Sequence, residues 1–234
     1  MSEEILINVT PQETRVAFVE EGVVQELHIE RNSSLGLVGN IYCGEVCRVL
    51  PGMQSAFVEI GLQRAAFLHA GDILECVANG NAKDSDSEKE KTIQEVLHQG
   101  QPLIVQVIKE PIGSKGARLT TQISIAGRFL VYLPQQDHIG VSQRIEDEAE
   151  RELLRDRLIK LLPEDRRGGY IMRTMSETAT DEELLADVNY LQKVWSNIQG
   201  ASQDAASRSL IFQDLNLPMR VLRDVVNEQT DRVL

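Results

Sequence analysis

Arg173 and Thr174 stand directly after the apolar run Tyr170-Ile171-Met172. A guanidinium offers a fork of donors and a threonine hydroxyl adds one more, a pairing suited to a terminal phosphate with its three acceptor oxygens. The plainer alternative is an arginine in a surface ion pair and a threonine opening a turn. A second constellation holds Phe57, in Ser55-Ala56-Phe57-Val58-Glu59-Ile60-Gly61, and Phe67, in Ala65-Ala66-Phe67-Leu68. An aromatic ring on the open face of a small sheet stacks nucleic-acid bases, at roughly 1 to 3 kcal/mol per base. The same rings turned inward would be core, and the residues alone leave both readings open. A third is the loop Gly113-Ser114-Lys115-Gly116-Ala117-Arg118-Leu119-Thr120-Thr121. From residue 103 to residue 128 the charges are Lys109, Lys115, Arg118 and Arg128 against Glu110, a local +3 in a chain of net charge -12. A positive pocket on a negative protein is a phosphate-site candidate, and an ordinary glycine hairpin with a solvated lysine is its alternative.

Other chemistries lack their residues. The loop does not end in Gly-Lys-Ser/Thr, so it is no Walker A loop, and no His-Glu-x-x-His, nucleophile elbow or glycine-rich dinucleotide turn occurs. The three cysteines are too few and too scattered for a disulfide framework. Cys43 and Cys47, an even spacing apart on one strand, could be joined with His69 or Cys76 as metal ligands, but strand thiols serve more often as small apolar residues.

The elements that must position these residues follow from periodicity. Gly39 to Ile125 contains about five short apolar runs bounded by glycine, which predicts a Greek-key OB barrel, a fold that binds oligonucleotides on one face and its loops. Its long insertion near residues 78–92 is polar, and Asp72 to Glu95 holds seven acids against Lys83, Lys89 and Lys91. Upstream, Thr14 to Glu20 and Val23 to Glu30 alternate around Glu21-Gly22, a hairpin with Leu27 and Ile29 inward. A hairpin needs a partner to bury its face, and Leu217 to Leu234 supplies one as a helix carrying Leu217, Val221, Leu222, Val225 and Val226. Ile145 to Leu162 predicts an amphipathic helix stopped by Pro163, and Asp181 to Asn197 a second capped by Thr180, with Trp195 near its end as a packing residue. Residues 199–207 read as a polar connector. With 234 residues, 42% of them hydrophobic, no apolar run of membrane length and an acidic start at Met1-Ser2-Glu3-Glu4, the expected setting is the cytoplasm.

Several of these stretches resemble one family in the right order. Gly39-Asn40-Ile41-Tyr42-Cys43-Gly44, Leu50 to Val58 and Gly116 to Thr121 are similar to the amino-terminal half of the bacterial ribonuclease E/G family, and Ile7-Asn8-Val9-Thr10-Pro11 is closer to its G branch. The resemblance implies an α+β fold: a five-stranded OB-fold barrel inserted in an RNase H-like subdomain, followed by an α/β 5′-phosphate sensor. It divides the chain into 1–38 (RNase H-like, first segment), 39–125 (barrel), 126–209 (sensor) and 210–234 (RNase H-like, second segment, ending incomplete).

The resemblance implies roles as well. Phe57, Phe67, Lys115 and Arg118 would bind RNA, and Arg173 and Thr174 would hold a 5′-monophosphate bracketed by Gly127 and Val131. Gln143 stands where members of the family's E branch often carry an arginine, which lowers the charge available to the phosphate unless Arg144 substitutes. Family members cleave single-stranded RNA in ribosomal RNA maturation and messenger RNA decay. They use a magnesium-activated water held by aspartates in a later DNase I-like domain, and form homo-oligomers partly through a zinc link. Neither an Ala-Ile-Asp-Ile-Asn type strand nor a Cys-Pro-x-Cys motif is found here. The expectation is therefore a chain that binds RNA with a 5′-monophosphate, binds no magnesium or zinc itself, and does not cut. A stand-alone RNA-binding adaptor with no nuclease is the alternative.

Overall fold

The computed structural model describes residues 2–77, 92–163, 166–227 and 229–234, so most of the expected acidic insertion lies outside the described residues. The chain is α+β and divides into two compact units, residues 1–36 with 214–234, and residues 37–213.

The first unit is a four-stranded sheet with one helix against it. Strands β1 (Glu3–Val9), β2 (Glu13–Glu20) and β3 (Val23–Arg31) form an antiparallel meander. The turn between β2 and β3 has φ +48° at Glu21 and +79° at Gly22, the double left-handed geometry of a tight hairpin. A helix over Leu217–Asp224 packs Leu217 and Val221 on Ile5 and Val16, and its N-cap Asn216 accepts a hydrogen bond from Met219 N. Two expectations are corrected here. The helix does not run to Leu234: it ends at Asp224, and Thr230–Val233 forms a strand parallel to β1, which places Asp231 on a strand. β-Branched Val225, Val226 and Thr230 disfavour helix, Asn227 Oδ1 accepts from Gln229 N in a turn, and the open edge of β1 takes up Leu234 through two backbone hydrogen bonds. Leu27 and Ile29 do not point inward. They stand opposite Ala17 and Arg15, on the face away from the helix, and are about half exposed.

The second unit holds a closed five-stranded barrel, consistent with an OB fold. Its strands are β4 (Ile41–Leu50), β5 (Ser55–Glu59), β6 (Ala66–His69), β7 (Pro102–Lys109) and β8 (Arg118–Thr120), and β4 pairing with β7 closes it. Alternation decides the lining: Val46, Ala56, Val58, Ala66, Leu68, Val105, Val107 and Leu119 are buried inside. Gly116 lies so close to the Ala65 carbonyl that no Cβ fits there, which draws the basic loop against β6. Short helices α1 (Leu74–Val77) and α2 (Ile93–Val96) lie between β6 and β7 in the chain.

A second sheet follows, from β9 (Ile125–Ala126), β10 (Leu130–Leu133), β11 (Ile139–Val141) and β12 (Gly169–Met172), in the order β11-β12-β10-β9. Its core joins Leu130, Tyr132, Tyr170 and Met172 to Leu154 and Leu158 of α3 (Glu148–Leu161) and to Leu184, Val188, Leu191 and Ile198 of α4 (Asp181–Asp204). Helix α3 starts three residues later than expected, at the cap Asp147, and Leu153 and Ile159 of its apolar set face solvent. Helix α4 runs through the expected connector to Asp204, because buried Ile198 carries its apolar stripe onward. A strand over Ser209–Phe212 then returns to β4, and the helix over 217–224 and the strand over 230–233 are α5 and β14 (β13 being Ser209–Phe212).

Candidate nucleic-acid interface

Phe57 and Phe67 face each other across β5 and β6, with ring centroids 6.2 Å apart at 68°. Both alternate with buried residues and so lie on the outer side of the barrel, half-buried, which removes the core alternative. The register extends this row. Arg48, exposed on β4, stands opposite Phe57, and Arg118 on β8 stands beside Phe67 and opposite Lys109. Two aromatic faces flanked by three cations form a surface on which bases can stack and phosphates can be neutralised. Arg118 is pinned by Asp72, which accepts from its Nε at 2.9 Å and so offsets part of its charge. His69 Nδ1 accepts a hydrogen bond from Gly71 N at 3.0 Å, with its ring 6.5 Å from Phe67. Lys115 is exposed on a turn that Ile112 and Lys115 close by backbone pairing. Arg48 is a neighbour that sequence reasoning missed, because only the register brings it opposite Phe57.

The expected sensor residues converge at one end of the second sheet. β10 runs antiparallel to β12 and β11 runs parallel to it, so the start of β10 and the ends of β11 and β12 meet. This gathers the stretch 127–129, the stretch 142–144 and the pair Arg173-Thr174. Arg173 Nη1 donates to Gly127 O at 2.5 Å and to Arg128 O at 3.3 Å, while Arg173 N donates to Phe129 O at 2.8 Å. Thr174 is exposed at the start of a 3-10 turn. Val131 is half-buried on β10, paired with Ile171, and Gln143 and Arg144 are exposed just beyond β11. Ser142 N donates to Met172 O at 2.8 Å, which fixes the Gln143-Arg144 segment beside the end of β12.

The residue holding this end together is Asp187, which periodicity treats as one more helix acid. It is buried on α4, three residues after Leu184 and four before Leu191, hence on the apolar stripe. Its carboxylate accepts from the backbone N–H groups of Arg128 (3.2 Å), Phe129 (2.9 Å) and Leu130 (2.9 Å). Gly127 is required in this arrangement, because a Cβ there would lie 2.5 Å from the same carboxylate. The available signal was an acid in line with Leu184 and Leu191 on the helix's buried stripe.

Known proteins resemble the chain over its whole length. The family model described as the ribonuclease E/G family matches residues 124–234. The whole chain aligns at 49% identity with ribonuclease G of Salmonella typhimurium and with ribonuclease G of Escherichia coli, covering 47% of each. It aligns at 34% identity with ribonuclease E of a Nostoc species, covering 32% of that protein. The chain resembles the ribonuclease E/G family over its whole length, and residues 124–234 match the family model. It spans about half the length of the ribonuclease G relatives it matches.

Among the described residues no group of three or more His, Cys, Asp or Glu side chains is arranged to hold a metal ion. Cys43, Cys47 and Cys76 are half-buried, and burial with the charge of Glu59 pushes the Cys47 thiol up. Among the described residues no helix is long and apolar enough to cross a membrane.

Proposed function

We propose that this chain is the RNA-recognition part of a cytoplasmic, single-strand-specific endoribonuclease acting in ribosomal RNA maturation and messenger RNA decay, and that it reads the 5′-monophosphate of its substrate. The observation that supports the reading best is the convergence of Gly127, Gln143-Arg144 and Arg173-Thr174 at one sheet end. There the exposed Thr174 hydroxyl and the cations Arg144 and Arg173 can meet a doubly charged terminal phosphate. Val131 and the fixed backbone at 127–129 bracket the first nucleotide. The body of the strand would cross the outer barrel face, stacking on Phe57 and Phe67 with phosphates near Lys115 and Arg118. No hydrolytic step is assigned to these residues, since the described donors do not fit the magnesium that hydrolysis of this type uses. Homo-oligomer formation and the zinc link belong to the full-length enzyme in this reading.

The test is the affinity of the 234-residue chain for one short single-stranded RNA bearing either a 5′-monophosphate or a 5′-hydroxyl, with magnesium present and products followed in the same tubes. Tighter binding of the phosphorylated form without cleavage is expected. Equal affinity for both forms removes the sensor, and cleavage places catalytic residues in this chain.

A further inference from the structure

At the other end of β12 the second sheet opens into a separate cleft. Its volume is about 500 Å³, within the range of small-molecule sites. Arg166, Arg167, Trp195, Gln192 and Tyr132 line it, and no acid does among the described residues. The two arginines come on a turn pinned to the sheet: Tyr132 OH donates to Arg167 O at 3.1 Å, and Gly168, at φ +82°, lies against the Tyr132 ring. At the floor, Gln192 Nε2 donates to the hydroxyl of Tyr170, whose burial pushes its phenol up to about 12, so it stays a neutral hydrogen-bonding group. Arg166 Nε is buried with no hydrogen-bond partner among the described residues, although a donor so placed ordinarily has one. Trp195 leans on the hydrophobic core from one side and lines the cleft from another.

We propose that this cleft binds a nucleoside phosphate, its phosphate on Arg166 and Arg167 and its base against Trp195. The observations divide along those lines. A planar guanidinium with an unmet buried N–H and a second exposed guanidinium beside it suit phosphate oxygens. An indole in the cleft supplies the π-face for a base. Gln192 and Gln199 line the same cleft and supply amide donors and acceptors for base edges. The ligand is either a free nucleotide or one nucleotide of an RNA strand, and the second source rests on the RNA-binding reading above. In that case the strand is held at both ends of β12, by Arg173 at one and Arg167 at the other.

Trp195 is the chain's one tryptophan, so its emission reports this cleft directly. The experiment titrates the full 234-residue chain with adenosine monophosphate in one arm and with a fluorescently labelled 5′-hydroxyl RNA hexamer in the other. Tryptophan emission and RNA anisotropy are read together. Saturable quenching by either ligand is expected, weakened at least about tenfold by Arg166→Ala and by the exposed change Arg167→Ala. Quenching by both ligands assigns the cleft to the nucleotide unit whatever its source, and quenching by RNA alone assigns it to a strand. Quenching by adenosine monophosphate without RNA binding keeps the cleft and overturns the RNA reading. RNA binding without quenching, no quenching in either arm, or quenching that survives Arg167→Ala and Arg166→Lys overturns the cleft.

Discussion

The outer barrel face and the Arg173 end of the second sheet are built in opposite ways. On the barrel each side chain is placed by alternation along one strand and register with the next, so Phe57 and Phe67 meet without a dedicated support. At the sheet end three segments far apart in sequence are joined through backbone atoms, and one buried carboxylate, Asp187, fixes the geometry. The first arrangement gives a tolerant surface suited to any base. The second gives a rigid site suited to one chemical group, and it fails as a unit.

That contrast can be broken most severely at Asp187. Asp187→Ala leaves two buried N–H groups and one half-buried one without their acceptor, at about 1 to 3 kcal/mol for each buried group. Urea denaturation should show a loss on the order of 3–5 kcal/mol. In a partly destabilised Asp187→Asn chain the 5′-monophosphate preference should fall while affinity for 5′-hydroxyl RNA holds; a parallel fall in both would make the two regions one site. Arg173→Ala comes next. Losing charge-assisted hydrogen bonds to the phosphate should erase roughly tenfold or more of the preference for phosphorylated over hydroxyl RNA in a binding titration. A preference that survives would locate phosphate recognition elsewhere.

Phe57→Ala or Phe67→Ala should weaken both RNA forms equally, by roughly 5- to 100-fold for one lost stack. Because these rings lie outside the barrel core, the thermal midpoint should move little, and unchanged affinity would sink the stacking role. The smallest effect is expected from Gln143→Arg. An added surface cation should strengthen binding of the phosphorylated form by up to about fivefold and steepen its salt dependence. No change with the 5′ group would put residue 143 outside the phosphate site.

The difference in construction also explains what could be read beforehand. Strand alternation and bounding glycines exposed the barrel, because a period of two is local and β5 and β6 are short, and Tyr170-Ile171-Met172 announced the strand that ends at Arg173. The inward placement of Leu27 and Ile29 could not be decided by alternation alone, since either parity of a two-faced strand satisfies the pattern and only the helix over 217–224 chooses. The C-terminal strand was hidden for a related reason: Leu217, Val221 and Val225 keep helical spacing, while the pairing that captures residues 230–233 comes from β1, more than two hundred residues earlier. Asp187 was written in the pattern but with the wrong meaning, a polar residue among core positions whose partners are main-chain atoms with no sequence signature.

Helix α4 touches both ends of the second sheet, through Asp187 at one and Gln192 at the other. That makes it a spacer of fixed phase as well as fixed length. Each residue advances a helix by about 1.5 Å and turns it by about 100°. One amino acid inserted between Asp187 and Gln192 would leave the first anchor seated and swing the second, together with Trp195, a quarter-turn or more off target. Changes in chain length should therefore be tolerated beyond Ile198, where the helix has no further buried anchor, and rejected within these few residues.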